Sequence, residues 1–348
     1  MNERLAAPPL ALTMGEPAGI GGELVLAAWL GREEAALPPF FTIDDPGRLA
    51  ALARSLGCQV AIETIQDPAE AAPLFPRALP VLAEPLPRAV RPGKPDPANG
   101  PAVIASIKRA AALALAGRAG GVVTSPIHKK SLYDAGFSYP GHTEFLASLV
   151  EGAPVPVMML VIPTLRVIPV TIHLPLAAAL ASLSSAQIVH CGKVAAAALA
   201  SSFAIAQPTL AVAGLNPHAG EAGGLGREEI EIIAPAVEEL RAAGVSAVGP
   251  LPADTLFHPA ARERYDAVLC MYHDQALIPL KTIDFEHGVN VTLGLPFVRT
   301  SPDHGTAFDI AGKRQASPAS LIAAVRLAGE MARHRARGRV GDAPRALA

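Results

Sequence analysis

The chain has 348 residues, a length that suggests two domains or one large domain with an insertion. Hydrophobic residues make up 51% of it and charged residues only 17%, so the composition predicts a large buried core and excludes an intrinsically disordered protein. The formal net charge of −2 offers no basic face for a nucleic acid, and we expect no such partner.

Apolar segments rich in Val, Ile and Leu alternate along the chain with segments of helical period. The predicted strands are LALTM (10–14), GVVTSP (121–126), VMMLVI (157–162), RVIPVTIH (166–173), LAVAGLNP (210–217) and DAVLCMYHD (266–274). The predicted helices are ELVLAAWL (23–30), PAVIASIKRAAALALAG (101–117), REEIEIIAPAVEELRAAG (227–244) and SLIAAVRLAGEMARHRA (320–336). Since the strands are continuously apolar, we expect both of their faces to be buried, as in an α/β sheet.

Two long stretches without charge, Arg166 to Lys193 and Lys193 to Glu221, raise the possibility of a membrane segment. Prolines and polar residues interrupt both, whereas a spanning helix needs about 20 mostly apolar residues. The N-terminal region has no long apolar run of the kind found in signal peptides, and no CxxC spacing occurs among the cysteines. We therefore expect a reduced, cytoplasmic protein without a membrane partner. The cysteines are Cys58, Cys191 and Cys270.

Three histidines, His173, His218 and His273, each follow an apolar strand segment. In open α/β sheets, ligands gather at the carboxyl ends of the strands. Neutral imidazoles suit zinc or another divalent transition metal, and three protein ligands leave a position open for substrate. Asp254 and Asp274 are candidates to orient the imidazoles. No local zinc-binding spacing occurs, and a single histidine in such a place is more often a hydrogen-bonded structural residue. Three histidines in equivalent positions favour a metal site.

Two loops have the composition of ligand-binding loops. PGHTEFLASL (140–149) places His142 and Thr143 at a predicted helix start, where an anion can bind, although Thr143 can also serve only as an N-cap. LNPHAGEAGGLGREE (215–229) is rich in glycine and leads into a helix, which suits either a ligand loop or a flexible connection.

The segment 281–313 contains several further candidates. Lys281, Asn290 and Arg299 are spaced so that a pair of strands can direct all three into a pocket, although Lys281 and Arg299 can also be exposed surface charges. Arg299 follows the apolar run LGLPFV, and a charge in such a place usually has a partner. HGTAFDIAG (304–312) combines a His-Gly turn with Asp309, at which we expect a helix to begin.

HGTAFDIAG resembles the nucleotide-binding segment of the isocitrate and isopropylmalate dehydrogenase superfamily. More of the chain resembles one family, the 4-hydroxythreonine-4-phosphate dehydrogenases of vitamin B6 biosynthesis. The segments that carry this resemblance are ALTMGEPAGIGGE, TSPIHK, YPGHTEFLA, TIHLPL, LNPHAGE, PADTLF, MYHDQALIPLK and GVNVTLGLPFVRTSPDHGTAFDIAG, in family order from about residue 10 to 315.

The resemblance implies an α/β fold like that of isocitrate and isopropylmalate dehydrogenases, with two α/β domains and a central cleft. Residues 1–130 plus 300–348 are then the nucleotide-binding domain, and 131–299 the domain for substrate, metal and dimerisation. It also implies a homodimer whose metal site takes ligands from both chains.

By the same resemblance, the enzyme oxidises the 3-hydroxyl of 4-phosphohydroxy-L-threonine with NAD or NADP and one divalent metal ion (zinc, magnesium, manganese or cobalt), and the product loses CO2. The implied metal ligands are His173, His218 and His273. The implied substrate-binding residues are His142, Thr143, Lys281, Asn290 and Arg299. The cofactor is expected near Gly294, His304, Gly305 and Asp309. The proton acceptor is left open among Lys281, Asp254 and Asp274.

Other activities remain as alternatives. A 4-phosphothreonate or 4-phosphoerythronate dehydrogenase, or a decarboxylating dihydrodiol dehydrogenase, would share fold and metal, but Lys281, Asn290 and Arg299 favour a phosphorylated substrate. A metal-dependent hydrolase or aldolase would use the histidines without a nicotinamide cofactor, against which HGTAFDIAG argues. A non-catalytic phosphate-binding protein would not need the histidines. The first loop departs from the usual family sequence at Glu16, where an aspartate is typical, and at Gly22, where a proline is.

Overall fold

In the computed structural model, residues 7–152 and 155–341 are described. The chain divides into two compact units. The first unit runs to Pro156 and resumes at Leu295, and the second comprises Val157–Gly294. The sequence-based boundaries lie at residues 130 and 300, and the roles assigned to the two predicted domains stay predictions.

Both units are built from β-strands and helices in alternation, which confirms the predicted α/β class. The strands are β1 (Leu10–Thr13), β2 (Phe40–Asp44), β3 (Ile62–Ile65), β4 (Leu79–Ala83), β5 (Val122–Val123), β6 (Val157–Ile162), β7 (Leu165–Pro169), β8 (Thr209–Ala213), β9 (Ser246–Leu251), β10 (Ala267–Cys270), β11 (Val289–Leu293) and β12 (Arg299–Pro302). The helices are α1 (Gly21–Leu30), α2 (Pro46–Ser55), α3 (Ala71–Leu74), α4 (Gly100–Leu115), α5 (Lys129–Asp134), α6 (His142–Ser148), α7 (Leu176–Ser182), α8 (Ser185–Phe203), α9 (Ala234–Ala242), α10 (Pro259–Arg262), α11 (His273–Ile283) and α12 (Ala319–Gly341).

In the first unit, the strands lie in the order β3-β4-β2-β1-β5-β12, and every neighbouring pair is parallel. Every residue of β1 and β2 is buried, as the continuous apolar pattern predicts. Helix α4 packs against β1 and β2, and helix α12 against β12. The core between them includes Phe41, Ile43 and Ile107, so this sheet is a rigid support for the loops at its carboxyl edge.

In the second unit, the strand order is β11-β6-β7-β10-β8-β9. Strands β11, β6 and β7 are joined by antiparallel pairing, and β7, β10, β8 and β9 are parallel neighbours. Leu160, Val167, Ala211, Val268 and Leu280 belong to its core. The parallel arrangement brings the carboxyl ends of β7, β10 and β8 to the same edge of the sheet.

The charge-free stretches from Arg166 to Glu221 are occupied by β7, α7, α8 and β8. No helix within residues 7–152 and 155–341 is both long and apolar enough to cross a membrane.

Two sequence-based expectations about local structure are wrong. Lys281 lies on α11 and not on a strand, because the segment 273–283 buries Ala276, Leu277 and Leu280 along one face of a helix. No helix begins at Asp309; residues 308–314 form turns, and the next helix begins at Ala319. The backbone N–H groups of Gly312 and Arg314 donate to the carboxylate of Glu23 and so do not enter a helix.

Candidate active site

The three histidines lie beyond the carboxyl ends of neighbouring parallel strands of the second unit. His173 follows the end of β7 at Pro169, His273 follows β10 at Cys270, and His218 follows β8 at Ala213. Strand β10 pairs with both β7 and β8. The sheet therefore places the three predicted metal ligands along one edge.

The imidazole rings of His173 and His273 lie near each other. Their ring centroids are 5.9 Å apart and their planes are tilted by 45°. Both rings line a cavity of about 230 Å³, together with Thr171, Tyr272 and Asp274. The Nδ1 atom of His273 is 2.6 Å from Oδ1 of Asp274, a pairing that orients the ring and leaves Nε2 for a ligand.

These two rings suit a divalent transition metal, because imidazole nitrogen is one of its commonest ligands. Among the residues that the structure describes, however, no group of three or more His, Cys, Asp or Glu side chains is arranged to hold a metal ion. His173 and His273 are thus a partial donor set within one chain, and His218 does not complete it.

His218 lies in a left-handed turn of the backbone. Residues 218–222 have φ angles between 43° and 78°, although only Gly220 among them lacks a side chain. For L-amino acids this conformation costs about 1–2 kcal/mol per residue, so other contacts must hold it.

The carboxylate of Glu229 anchors the two residues that lead into this turn. It accepts hydrogen bonds from the backbone N–H of Leu215 (2.7 Å) and Asn216 (2.6 Å) and from the Asn216 side chain (2.9 Å). Glu229 is 3% exposed and opens the π-helical turn Glu229–Ile233 that precedes α9. Neither Asn216 nor Glu229 was among the sequence-predicted site residues. Their only sequence signal is a glycine-rich loop followed by the acidic run REE.

The other predicted residues of the second unit lie on three different elements. Asp254 lies in the 3-10 turn Ala253–Thr255 and lines an open groove of about 410 Å³ that Asp274 also lines. Lys281 places its Nζ 5.5 Å from the ring centroid of Phe285. Asn290 lies on β11, and its Oδ1 atom is buried without a hydrogen-bond partner. A buried polar atom of this kind is usually satisfied by a ligand or water.

In the first unit, the buried side chains of Arg299 and Thr124 lie near His142, which is half-buried. Arg299 is 4% exposed, and its Nη2 donates to Oγ1 of Thr124 at 2.7 Å. Burial lowers the pKa of Arg299 to about 10, against the opposing effect of the Glu144 carboxylate. Sequence reasoning did not single out Thr124 or Glu144.

His142 is the first residue of α6, with Thr143 beside it. Its Nε2 atom is buried and has no hydrogen-bond partner. Burial lowers the pKa of His142 well below the ordinary value, and the cations of Arg299 and Lys129 lower it further. His142 is therefore a neutral donor or acceptor beside a buried guanidinium, an arrangement suited to an anion such as phosphate.

The expected cofactor-binding residues lie in loops. In the first unit, the Nδ1 atom of His304 is 3.0 Å from the carbonyl oxygen of Gly305, and its Nε2 is buried without a hydrogen-bond partner. Asp309 is exposed in the turns that Glu23 holds. In the second unit, Gly294 follows β11 with a positive φ of 87°.

The two departures in the first loop have local structural reasons. The carboxylate of Glu16 is buried and accepts from the backbone N–H of Ala18 at 3.0 Å, and burial raises its pKa. A Cβ atom at Gly22 would lie 2.9 Å from Leu52 and 3.0 Å from Nη1 of Arg48. Glycine there makes room for the Arg48 side chain, which donates to the carbonyl oxygen of Pro17 and pairs with Asp44.

Comparison with known proteins shows relatives that cover nearly the whole chain. The sequence model of the family described as pyridoxal phosphate biosynthetic protein PdxA matches residues 37–328. A 4-hydroxythreonine-4-phosphate dehydrogenase of Bradyrhizobium diazoefficiens is 56% identical over 338 residues, which are 94% of this chain and 98% of that protein.

Two crystal structures extend the comparison to the fold. The 4-hydroxythreonine-4-phosphate dehydrogenase of Klebsiella pneumoniae has a TM-score of 0.86 at 40% identity and covers 94% of this chain and 98% of its own. A terephthalate 1,2-cis-dihydrodiol dehydrogenase of Burkholderia xenovorans has a TM-score of 0.64 at 31% identity, with coverage of 92% and 97%. This chain is thus more similar to the first enzyme than to the second, in both sequence and structure.

Proposed function

Because this chain belongs to the family of the pyridoxal phosphate biosynthetic protein PdxA, we propose that it oxidises 4-phosphohydroxy-L-threonine at the 3-hydroxyl. Hydride passes from C3 to NAD or NADP and the hydroxyl proton is released, so that 2-amino-3-oxo-4-phosphohydroxybutanoate forms. This β-keto acid then loses CO2 to give 3-amino-2-oxopropyl phosphate. The substrate and reaction follow the names of the relatives, and the residues below support them.

The observation that carries the proposal is the buried polar group around Arg299. A guanidinium at 4% exposure, held by Thr124 and beside the buried Nε2 of His142, supports the binding of a dianionic phosphate. A bound dianion would favour the cationic form of Arg299, whose pKa burial lowers to about 10. We assign Thr143, Lys281 and Asn290 to the same substrate, with Asn290 supported by its unpartnered buried Oδ1.

We propose His173, His218 and His273 as the ligands of a divalent metal. When bound, such a metal lowers the pKa of a coordinated hydroxyl and polarises the ketone that follows. Asp274 supports this role by orienting the His273 ring through Nδ1. Zinc, magnesium, manganese and cobalt are the candidate metals.

The proton acceptor is proposed among Lys281, Asp254 and Asp274. The Asp274 carboxylate is already engaged with His273 at 2.6 Å, which favours the other two. For the nicotinamide cofactor we propose contacts with Gly294, His304, Gly305 and Asp309. The buried, unpartnered Nε2 of His304 supports this assignment in the same way as His142 supports the phosphate site.

A homodimer is part of the proposal. Exposed apolar side chains cluster on and before α7 and on α11: Leu174, Leu176, Leu180 and Ile278 are between 44% and 62% exposed. Large exposed apolar patches usually mark interfaces. Leu174 and Leu176 line the cavity of His173 and His273, where the described residues of a single chain provide no three-ligand group. Both features favour a second copy that completes the metal site.

The three free cysteines support the cytoplasm as the location of the protein.

A dihydrodiol dehydrogenase is the second candidate, since one such enzyme shares 31% identity and the fold. The buried cation Arg299 favours a phosphorylated substrate over a dihydrodiol.

The deciding experiment incubates the purified protein, metal and NAD+ or NADP+ with a panel of compounds. The panel contains 4-phosphohydroxy-L-threonine, 4-phosphothreonate, 4-phosphoerythronate and a dihydrodiol dicarboxylate. We expect NAD(P)H formation with the first compound. Reduction with 4-phosphothreonate alone would overturn the proposed substrate.

A further inference from the structure

The side chain of Gln275 links the carboxyl ends of two strands that lead to predicted metal ligands. Its Nε2 donates to the carbonyl oxygen of Gly214 at 2.8 Å, and its Oε1 accepts from the backbone N–H of Met271 at 2.6 Å. Gly214 follows β8 and precedes His218, and Met271 follows β10 and precedes His273. Gln275 is 8% exposed, so water does not compete strongly for these bonds.

A second side chain extends the link to the third strand. The hydroxyl of Thr171 donates to the carbonyl oxygen of Met271 at 2.8 Å, and the backbone N–H of Thr171 points to the same oxygen at 3.3 Å. Thr171 follows β7 and precedes His173 by two residues. A continuous buried chain of hydrogen bonds therefore runs from Gly214 through Gln275 and Met271 to Thr171.

This chain of bonds lies where regular strand pairing stops. The last paired residues are Leu269 with Val212 between β10 and β8, and Cys270 with Pro169 between β10 and β7. Between the β7 and β10 segments two backbone bonds continue past the ladder, from Val170 N–H to the carbonyl oxygen of Cys270 and from Thr171 N–H to that of Met271. Between the β10 and β8 segments the ladder ends at Leu269 with Val212, and the Gln275 side chain joins the two backbones beyond that point. A glutamine amide is suited to the task, because one planar group donates to one backbone and accepts from the other.

We propose that Gln275, together with Thr171, is a positioning residue for the imidazoles of His218, His273 and His173. The two side chains hold the backbone segments that carry these three histidines at fixed separations before a metal binds. The inference rests on the proposed function, in which these imidazoles bind a divalent metal. Residues that orient metal ligands typically change metal affinity about 10- to 100-fold when altered, and we expect the same here.

The test measures binding of Co2+ and Zn2+ to the metal-stripped full chain, by competition with a chelator, beside the urea midpoint of the same metal-free protein. The variants are Gln275→Met, which keeps the length of the side chain but loses both bonds, and Thr171→Val, which keeps the shape and loses the hydroxyl. Thr171→Ser restores the hydroxyl. Thr42→Val is the matched control, because Thr42 is a fully buried strand threonine of the first unit.

We expect Gln275→Met and Thr171→Val to weaken metal binding about 10- to 100-fold, and Thr171→Ser to stay close to wild type. Thr42→Val should shift the urea midpoint and leave metal affinity unchanged. The inference is overturned if Thr171→Val binds metal as tightly as wild type. It is also overturned if Thr171→Val loses no more metal affinity than Thr42→Val does. Because this comparison does not involve Gln275→Met, it decides the matter even if that variant does not fold. Failure of the wild-type protein to bind either metal would instead refute the proposed metal site, and the inference with it.

Discussion

Nη2 of Arg299 donates a hydrogen bond to Oγ1 of Thr124 across two parallel strands of the first unit. The bond is 2.7 Å long, and both residues are almost wholly buried. The pairing of β12 with β5 fixes their backbones, with Arg299 opposite Val122 and the N–H of Thr124 donating to the carbonyl oxygen of Thr300. Thr124 therefore sets the orientation of the guanidinium.

Replacement of Arg299 by alanine should raise KM for 4-phosphohydroxy-L-threonine about 10- to 100-fold, because a hydrogen bond to a charged group contributes about 1.5–3 kcal/mol. KM for the cofactor should change little. Thr124→Val should produce a smaller effect in the same direction, since it loosens the guanidinium without removing it. Steady-state kinetics with each substrate varied in turn checks this. An unchanged KM in Arg299→Ala would remove Arg299 from the phosphate site.

His142 should make the protein less stable in acid. Burial and the neighbouring cations lower its pKa in the folded state, so below about pH 6.5 the unfolded chain takes up a proton that the folded chain does not. The contribution is fully present above pH 6.5 and is lost as the pH falls toward the lowered pKa, with a slope approaching about 1.4 kcal/mol per pH unit.

Urea unfolding between pH 5 and pH 7.5 tests this expectation. The free energy of unfolding of His142→Gln should depend less on pH in this range than that of wild type. His258→Gln alters an exposed histidine of the second unit and should keep the wild-type dependence. Parallel pH curves for wild type and His142→Gln would contradict the assignment.

Much of the fold and part of the site could be predicted from sequence, for an identifiable reason. Continuous apolar runs indicate buried parallel strands, and the positions of His173, His218 and His273 beyond the carboxyl ends of β7, β8 and β10 follow from that pattern. Lys281 was placed wrongly because a short apolar segment has the same composition in a strand and in a helix.

The supporting residues could not be predicted, because their partners are distant in sequence or depend on unusual backbone. Gln275 bonds to Gly214, 61 positions away. The turn at His218 has left-handed angles at non-glycine residues, and the buried Glu229 carboxylate holds the two residues that lead into it, Leu215 and Asn216. Neither feature leaves a periodic pattern in the sequence.

Asp274→Asn should weaken binding of Zn2+ or Co2+ about 10- to 100-fold, because the carboxylate that orients His273 loses its charge. The second unit offers a matched control, since Asp284 pairs in the same way with His287, at 3.0 Å. Asp284→Asn should leave metal affinity unchanged. Chelator competition on the metal-stripped protein measures both variants. Equal affinities in the two variants would exclude Asp274 from the support of the metal site.

The left-handed turn at His218 predicts that substitution of Gly220 lowers the free energy of unfolding. A Cβ atom there would lie 2.6 Å from Oε2 of Glu229, at a φ of 78° that side chains disfavour. The Glu229 carboxylate cannot move aside, since Leu215 and Asn216 hold it. Gly220→Ala should therefore lower the free energy of unfolding by about 2 kcal/mol or more. Gly224, with a φ of −71°, lies in the same loop, and Gly224→Ala should cost less than about 1 kcal/mol. Urea unfolding of both variants measures the difference, and equal losses would show that the turn is not held as the Glu229 contacts indicate.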